Sequence, residues 1–106
     1  MSILGSFWSS PGGANPYATH TGTISLTTTW TGQGPYTQTV TVSGARVSDH
    51  SKVDLQLTAA QIATLMADGV TALTIENNYS TLTVYALGAA PTTAMTIQCS
   101  VVEVAP

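Results

Sequence analysis

The stretch that decides the fold reads Pro35-Tyr36-Thr37-Gln38-Thr39-Val40-Thr41-Val42-Ser43-Gly44, followed by Val47-Ser48-Asp49-His50-Ser51-Lys52-Val53-Asp54-Leu55-Gln56-Leu57. Aliphatic and polar residues alternate in both halves, which is the period of a strand with one buried face. A short polar loop separates the two halves, and the many threonines suit the exposed side of a pleated sheet. The stretch therefore predicts two half-buried antiparallel strands whose inward residues are Val40, Val42, Val53, Leu55 and Leu57.

The same alternation continues on both sides of this stretch and is interrupted by turns. Turn residues cluster at 32–35, at Asn77-Asn78-Tyr79-Ser80, which is typical of a hairpin tip, and at 88–93. Between these turns, further inward rows are predicted. Their members are Ile24 and Leu26, then Leu73 and Ile75, then Leu82, Val84 and Ala86, and finally Met95, Ile97, Cys99 and Val101.

One helix is predicted between the strands, over about residues 59–68. Thr58-Ala59-Ala60-Gln61 matches a capping box, in which threonine caps the first turn and glutamine reaches back. An apolar stripe of Ile62, Leu65 and Met66 follows at helical spacing. Gly69 stands where a left-handed conformation ends a helix. We expect this helix to lie on a sheet edge or to close one end of a sandwich.

These elements predict a mainly β fold, a jelly-roll-like antiparallel β-sandwich of about six to seven strands with one short helix. The sandwich is expected to span 23–106, preceded by an extended arm over 1–22.

At the end of the last strand, Val101-Val102 breaks the alternation, and Val104 falls on the opposite face from Met95. Either a bulge or a strand covered on both faces explains this pattern.

The arm combines a cluster of turn-forming residues at 9–16 with Phe7, Trp8 and Tyr17, which are three of the few aromatic residues of the chain. Aromatic residues are uncommon in a merely solvated tail. They predict an assembly arm, which either folds back over its own domain or docks on a neighbouring subunit.

Composition limits the partners. The chain has 106 residues, enough for one domain, and 7% of them are charged, against about 25% in a typical soluble domain. Little electrostatic repulsion opposes association of such a surface, which favours an oligomer. The two cations, Arg46 and Lys52, are too few for a nucleic-acid or anionic membrane surface. Residues 1–8 do not read as a secretory signal, and no apolar run is long enough to cross a membrane.

The residues that bear chemistry do not form a recognisable catalytic or metal motif. Asp49-His50-Ser51, with Asp54 nearby, has the ingredients of a hydrolytic triad, but neighbours in a short loop rarely reach triad geometry. His20 and His50 lack the spacing of metal ligands. Cys99 reads as a buried structural thiol. We therefore expect no enzyme activity, no cofactor and no metal.

Glycan contact is the binding hypothesis that the aromatic residues support. Sugars are held by aromatic faces, with amides and carboxylates on their hydroxyl groups. Tyr79 beside Asn77 and Asn78 offers this combination, and Trp30 and Tyr36 flank another turn. The alternatives are a core plug for Trp30 and an ordinary turn tyrosine for Tyr79.

The order of elements resembles a domain found near the ends of tail, baseplate and fibre proteins of phages and prophages of Gram-positive (Firmicutes) bacteria. The similarity covers roughly 35–104 and rests on a strand at Pro35–Val42, a strand at Ser48–Leu57, the helix, and the segment Thr83–Thr93. It implies a virion structural protein, assembled in the host cytoplasm, that binds itself and other virion proteins. Trimers are frequent in such fibres.

The resemblance leaves two alternatives open. Only 34 residues precede Pro35, whereas the longer proteins carry a shaft or anchoring region there, so a capsid decoration or head-fibre protein is one alternative. The other is a carbohydrate-binding module that recognises host-surface glycans.

Overall fold

Strand alternation places one side of every strand in a shared core between two three-stranded sheets. The computed structural model describes residues 19–48, 51–78 and 81–102. Both sheets are antiparallel, with the orders β1-β6-β3 (the first sheet) and β2-β5-β4 (the second sheet). The elements are β1 (Thr19–Leu26), β2 (Tyr36–Val40), β3 (Lys52–Gln56), α1 (Ala59–Ala67), β4 (Ala72–Asn77), β5 (Leu82–Leu87) and β6 (Met95–Val102).

The predicted β-sandwich with one short helix is confirmed, and so are most of its inward rows. Ile24 pairs with Ile97 and Leu55 with Cys99 across the first sheet, and all four are buried. Full burial of such an aliphatic side chain contributes about 1.5–3 kcal/mol. The remaining buried members of these rows are Leu26, Val40, Val53, Leu57, Leu73, Leu82, Val84, Ala86 and Val101, while Val42, Ile75 and Met95 are partly buried against them.

One side of the sandwich is closed where β1 and the segment after it meet β2 and the segment after that, at two isolated bridges between the two sheets. Thr23 and Ser43 exchange backbone hydrogen bonds of 2.9 and 2.8 Å, and Thr31 and Thr37 exchange bonds of 3.0 and 2.7 Å. Between these bridges the side chain of Gln38 takes the place of a backbone partner. Its Oε1 accepts from the Thr27 N–H at 2.8 Å, and its Nε2 donates to the carbonyls of Thr27 and Thr29 at 3.1 and 3.0 Å. We call this contact the β1–β2 seam.

Helix α1 begins and ends as the sequence predicts. Thr58 Oγ1 accepts from the Gln61 N–H at 3.1 Å, and Gln61 Oε1 accepts from the Thr58 N–H at 3.0 Å. At the other end Gly69 has a φ of 88°, and the Val70 N–H donates to the Leu65 carbonyl at 3.0 Å. These bonds satisfy the backbone groups that a helix terminus leaves without partners.

The predicted apolar stripe of the helix is wrong at one position. Leu65 is fully buried and Ile62 half-buried, but 57% of Met66 is exposed. Consecutive residues project about 100° apart around a helix axis. With Leu65 directed into the core, Met66 therefore projects towards solvent.

The last strand runs without a bulge as far as Val102. Val102 pairs with Thr19 on one side and with Lys52 on the other, in unbroken register. Val101 and Val102 are both buried, so this end of the strand is covered on both faces within the chain. Strand β1 begins at Thr19, four residues before the predicted domain boundary.

Several predictions fall on residues that the structure does not describe. The assembly arm with Phe7, Trp8 and Tyr17 is among them, as are Asp49, His50, Tyr79 and Val104. Those predictions stay predictions. Within the described ranges, no helix is long and apolar enough to cross a membrane.

Candidate functional site

A cleft of about 260 Å³ opens at the end of the sandwich where β2 ends and the β4–β5 hairpin turns. We call this the hairpin end. Apolar side chains of the core form part of its wall, and threonine hydroxyls lie among them. The volume is slightly below that of pockets for drug-sized ligands, so it suits one ring of a larger ligand. The cleft is lined by Thr39, Val40, Thr41, Val42, Ala45, Val47, Asn77, Thr81 and Leu82.

Asn77, predicted as a glycan contact, connects the second sheet to the loop before β3. Its Nδ2 donates to the carbonyls of Ser48 and Ser51 at 2.9 and 3.0 Å. Ser51 is buried, and its Oγ accepts from the Ser48 N–H at 2.9 Å. The serine of the Asp-His-Ser trio thus closes a loop through hydrogen bonds to Ser48. In the described part of the chain there is no cluster of side chains that could bind a metal ion.

Trp30 and Tyr36 both pack against the core. Each is half-buried, and the indole Nε1 of Trp30 is buried with no hydrogen-bond partner among the described residues. This packing agrees with the core-plug alternative for Trp30, and Tyr36 packs in a similar way. Glycan contact by these two residues stays a prediction.

A second group of polar side chains surrounds Tyr85 on the outer face of the second sheet. The phenol donates to Glu76 Oε1 at 2.7 Å, and Asn78 Nδ2 donates to Thr83 Oγ1 at 3.1 Å. The hydrogen bond to Glu76 raises the pKa of the Tyr85 phenol, and the nearby Asn78 amide opposes that rise. We call Glu76, Asn78, Thr83 and Tyr85 the tyrosine cluster.

The hydrogen bond to Glu76 restricts the direction in which the Tyr85 side chain extends. Tyr85 pairs with Thr74, whereas Glu76 lies two residues further along β4, opposite Thr83. Such diagonal neighbours are about 7–8 Å apart. The phenol reaches Glu76 only when the Tyr85 side chain inclines along the sheet towards Glu76 and Thr83. The side chain is half-buried, so part of it stays open to solvent.

Of the tyrosine cluster, sequence reasoning named only Asn78. The alternation that directs Leu82, Val84 and Ala86 inward also directs Thr83 and Tyr85 outward. The sequence alone therefore predicts that Thr83 and Tyr85 project outward. The pairing of Glu76 with Thr83 depends on the register of the β4–β5 hairpin, which the sequence leaves open.

Burial and hydrogen bonding shift the pKa of three further groups. Burial raises the pKa of Asp54, although the Lys52 ammonium opposes it. The N–H and hydroxyl of Thr92, which donate to the two Asp68 carboxylate oxygens at 3.0 and 2.9 Å, lower the pKa of Asp68. Burial raises the pKa of the Cys99 thiol, so the thiol stays protonated at neutral pH, as expected of a structural cysteine.

The tyrosine cluster and the hairpin-end cleft are the candidate binding surface within the described residues. They are neighbours, because Thr39 lines the cleft and pairs with Thr83 across β2 and β5. No protein-family model matches the chain, and no curated protein or solved structure matches it either.

Proposed function

We propose that this chain is a non-enzymatic structural subunit of a bacteriophage virion, part of a tail, baseplate or fibre, that assembles as a homo-oligomer. The observation that carries the proposal is the low charge of the outer surface of the sandwich. Hydroxyl and amide side chains dominate both outer faces, and a surface with so little charge has little repulsion to keep copies apart. The exposed members include Ser25, Gln56, Thr96 and Gln98 on the first sheet and Thr39 and Thr74 on the second.

An apolar patch offers a place for subunit contact. Met66 and Leu87 are 57% and 40% exposed. They flank the same turn, since the Gly69 N–H donates to the Met66 carbonyl and the Thr71 N–H to the Leu87 carbonyl. This turn lies at the end of β5 away from the cleft, which we call the helix end. Within the described residues these are the large apolar side chains that are exposed, so burial against a second copy would remove them from water.

The resemblance of the chain to phage tail-related domains gives this assembly its biological setting. The two segments that carry most of the resemblance form β2 and β3, one strand in each sheet. Their inward residues are core residues. These inward residues stabilise the fold. The outer faces and the helix end are therefore the surfaces left for contact with other virion proteins.

Light scattering of the purified protein over a range of concentrations tests the assembly. We expect a mass above that of the 10.9 kDa monomer, with Met66→Lys and Leu87→Lys shifting the protein towards monomer. Thr28→Lys and Gln33→Lys, which place lysine at exposed positions outside both sheets and α1, are matched controls and should leave the mass unchanged. A wild-type monomer at high concentration contradicts self-assembly.

Antibody labelling of intact virions tests the location. Label at the tail supports the tail, baseplate or fibre assignment. Label on the head supports instead a capsid decoration or head-fibre protein. Virions without label, from cells that produce the protein, contradict a structural role in the particle.

A further inference from the structure

The Tyr85 ring lies among hydroxyl side chains on the outer face of the second sheet. Its phenol donates to Glu76 Oε1 at 2.7 Å, and the half-buried side chain keeps part of its surface open to solvent. Thr37 and Thr74 flank it on the two neighbouring strands. An aromatic ring restrained by a hydrogen bond contacts the C–H side of a pyranose with little loss of side-chain entropy.

The polar groups beside the ring match the hydroxyl groups of a sugar. Hydrogen-bond acceptors come from the Glu76 carboxylate, of which Oε1 is bound to the phenol. Asn78 and Thr83 add an amide and a hydroxyl, held together at 3.1 Å. A few convergent polar groups beside an apolar surface are what fixes the orientation of a small ligand. Glu76 also repels anionic ligands, so the cluster suits a neutral sugar.

Threonines lead from Tyr85 to the cleft. Thr83 and Tyr85 project from the same face of β5, and Thr81, the residue before β5, lines the cleft. At about 3.3 Å per residue, the path from Tyr85 to Thr81 is about 13 Å long. That length exceeds one pyranose ring, so an oligosaccharide can contact both Tyr85 and the cleft.

We propose that the tyrosine cluster and the hairpin-end cleft form a binding site for a neutral oligosaccharide of pyranose units. One sugar ring stacks on Tyr85, with hydrogen bonds to Glu76 and Asn78, and a ring further along the same oligosaccharide reaches the threonines of the cleft. This inference is independent of the virion assignment and of the subunit contact at the helix end.

NMR titration of the full-length, isotope-labelled chain tests the site. The probes are soluble tetrasaccharides of glucose, of galactose and of N-acetylglucosamine, each compared with an anionic oligosaccharide that contains glucuronate. We expect at least one neutral probe to give saturable shifts that centre on Thr39, Thr81, Thr83 and Tyr85. The anionic probe should bind more weakly.

Variants of the cluster separate stacking from charge. Tyr85→Ala should weaken binding about tenfold, which corresponds to about 1.4 kcal/mol, and Tyr85→Trp should retain binding. Glu76→Gln keeps an acceptor for the phenol and removes the charge, so it should reduce the discrimination against the anionic probe. Gln98→Ala, on the outer face of the first sheet, is the control and should bind as wild type does.

Three results would overturn the site. One is the absence of saturable shifts with every neutral probe at millimolar concentration. Another is a set of shifts centred away from the second sheet. The last is unchanged affinity of Tyr85→Ala, with its circular dichroism spectrum and melting temperature equal to those of wild type. Since Met66→Lys and Leu87→Lys leave the cluster intact, loss of assembly and loss of sugar binding are distinguishable.

Discussion

Replacing Gln38 by methionine should weaken the β1–β2 seam. The Gln38 side chain makes three hydrogen bonds to the backbone of Thr27 and Thr29, at 2.8, 3.1 and 3.0 Å. These bonds lie between the Thr23–Ser43 and Thr31–Thr37 bridges. Thr27 and Thr29 belong to the segment that connects the two sheets. Methionine has similar length and apolar bulk but cannot replace these bonds.

The expected loss follows from those three bonds. A typical hydrogen bond contributes a net 0.5–1.5 kcal/mol, roughly, to the free energy of unfolding. The seam is exposed to water, which compensates part of each loss, so values in the lower half of that range apply. We expect Gln38→Met to lower the free energy of unfolding by about 2 kcal/mol. In a domain of this size, that loss lowers the melting temperature by about 10 °C.

Urea unfolding followed by circular dichroism and tryptophan fluorescence measures this change. Trp30 follows the bonded segment and packs against the core, so its fluorescence reports on the seam. Gln98→Met is the matched control because Gln98 is exposed on the outer face of the first sheet. Its effect should stay within about 0.5 kcal/mol. If Gln38→Met costs no more than Gln98→Met, Gln38 does not hold the seam.

Four further substitutions or treatments test other parts of the fold. Thr58→Ala removes the cap of α1 and should lower the free energy of unfolding by about 1 kcal/mol in urea titrations; an unchanged midpoint contradicts the role of the cap. The pKa of Asp68 is lower in the folded than in the unfolded chain, so its contribution is present above its usual pKa of 3.8 and is lost as the pH falls through the folded value. Melting temperatures of wild type and Asp68→Asn should therefore converge in acid, and a difference independent of pH refutes this linkage. The buried Ser100 hydroxyl has no hydrogen-bond partner in the described part of the chain, so Ser100→Ala should leave the free energy of unfolding unchanged or raise it by up to about 1 kcal/mol, whereas a loss would reveal a partner. Cys99 should resist alkylation at neutral pH in the folded protein and react in urea, because burial raises the pKa of its thiol; rapid native labelling, read by mass spectrometry, would disprove this.

The predictions that held depend on residues close together in sequence. Alternation within one strand places Ile24 and Val84 in the core, and the capping box needs only Thr58 and Gln61. The prediction that Met66 belongs to the buried stripe was wrong because helical spacing defines an apolar face but not how far that face turns towards the core. Of the residues of this short helix, all of which are described, Leu65 is the one that is buried.

The contacts that sequence reasoning missed join residues distant in the chain. Gln38 reads as one polar residue in a strand, and its role requires that β1 and β2 diverge into different sheets. The sequence shows that Tyr85 projects outward, but its orientation depends on Glu76, nine residues away. The register of the strands and their division between the two sheets arise from packing of the whole sandwich, so local periodicity does not specify them.

The two proposed surfaces can be used at the same time because of the direction in which Tyr85 leans. Leu87, part of the proposed subunit contact, lies on the same face of β5 only two residues from Tyr85. The phenol, however, binds Glu76, which pairs with Thr83 on the side nearer the cleft. The ring therefore extends away from Leu87. A neighbour that covers Leu87 and Met66 would therefore leave uncovered the cleft, which lies at the opposite end of β5.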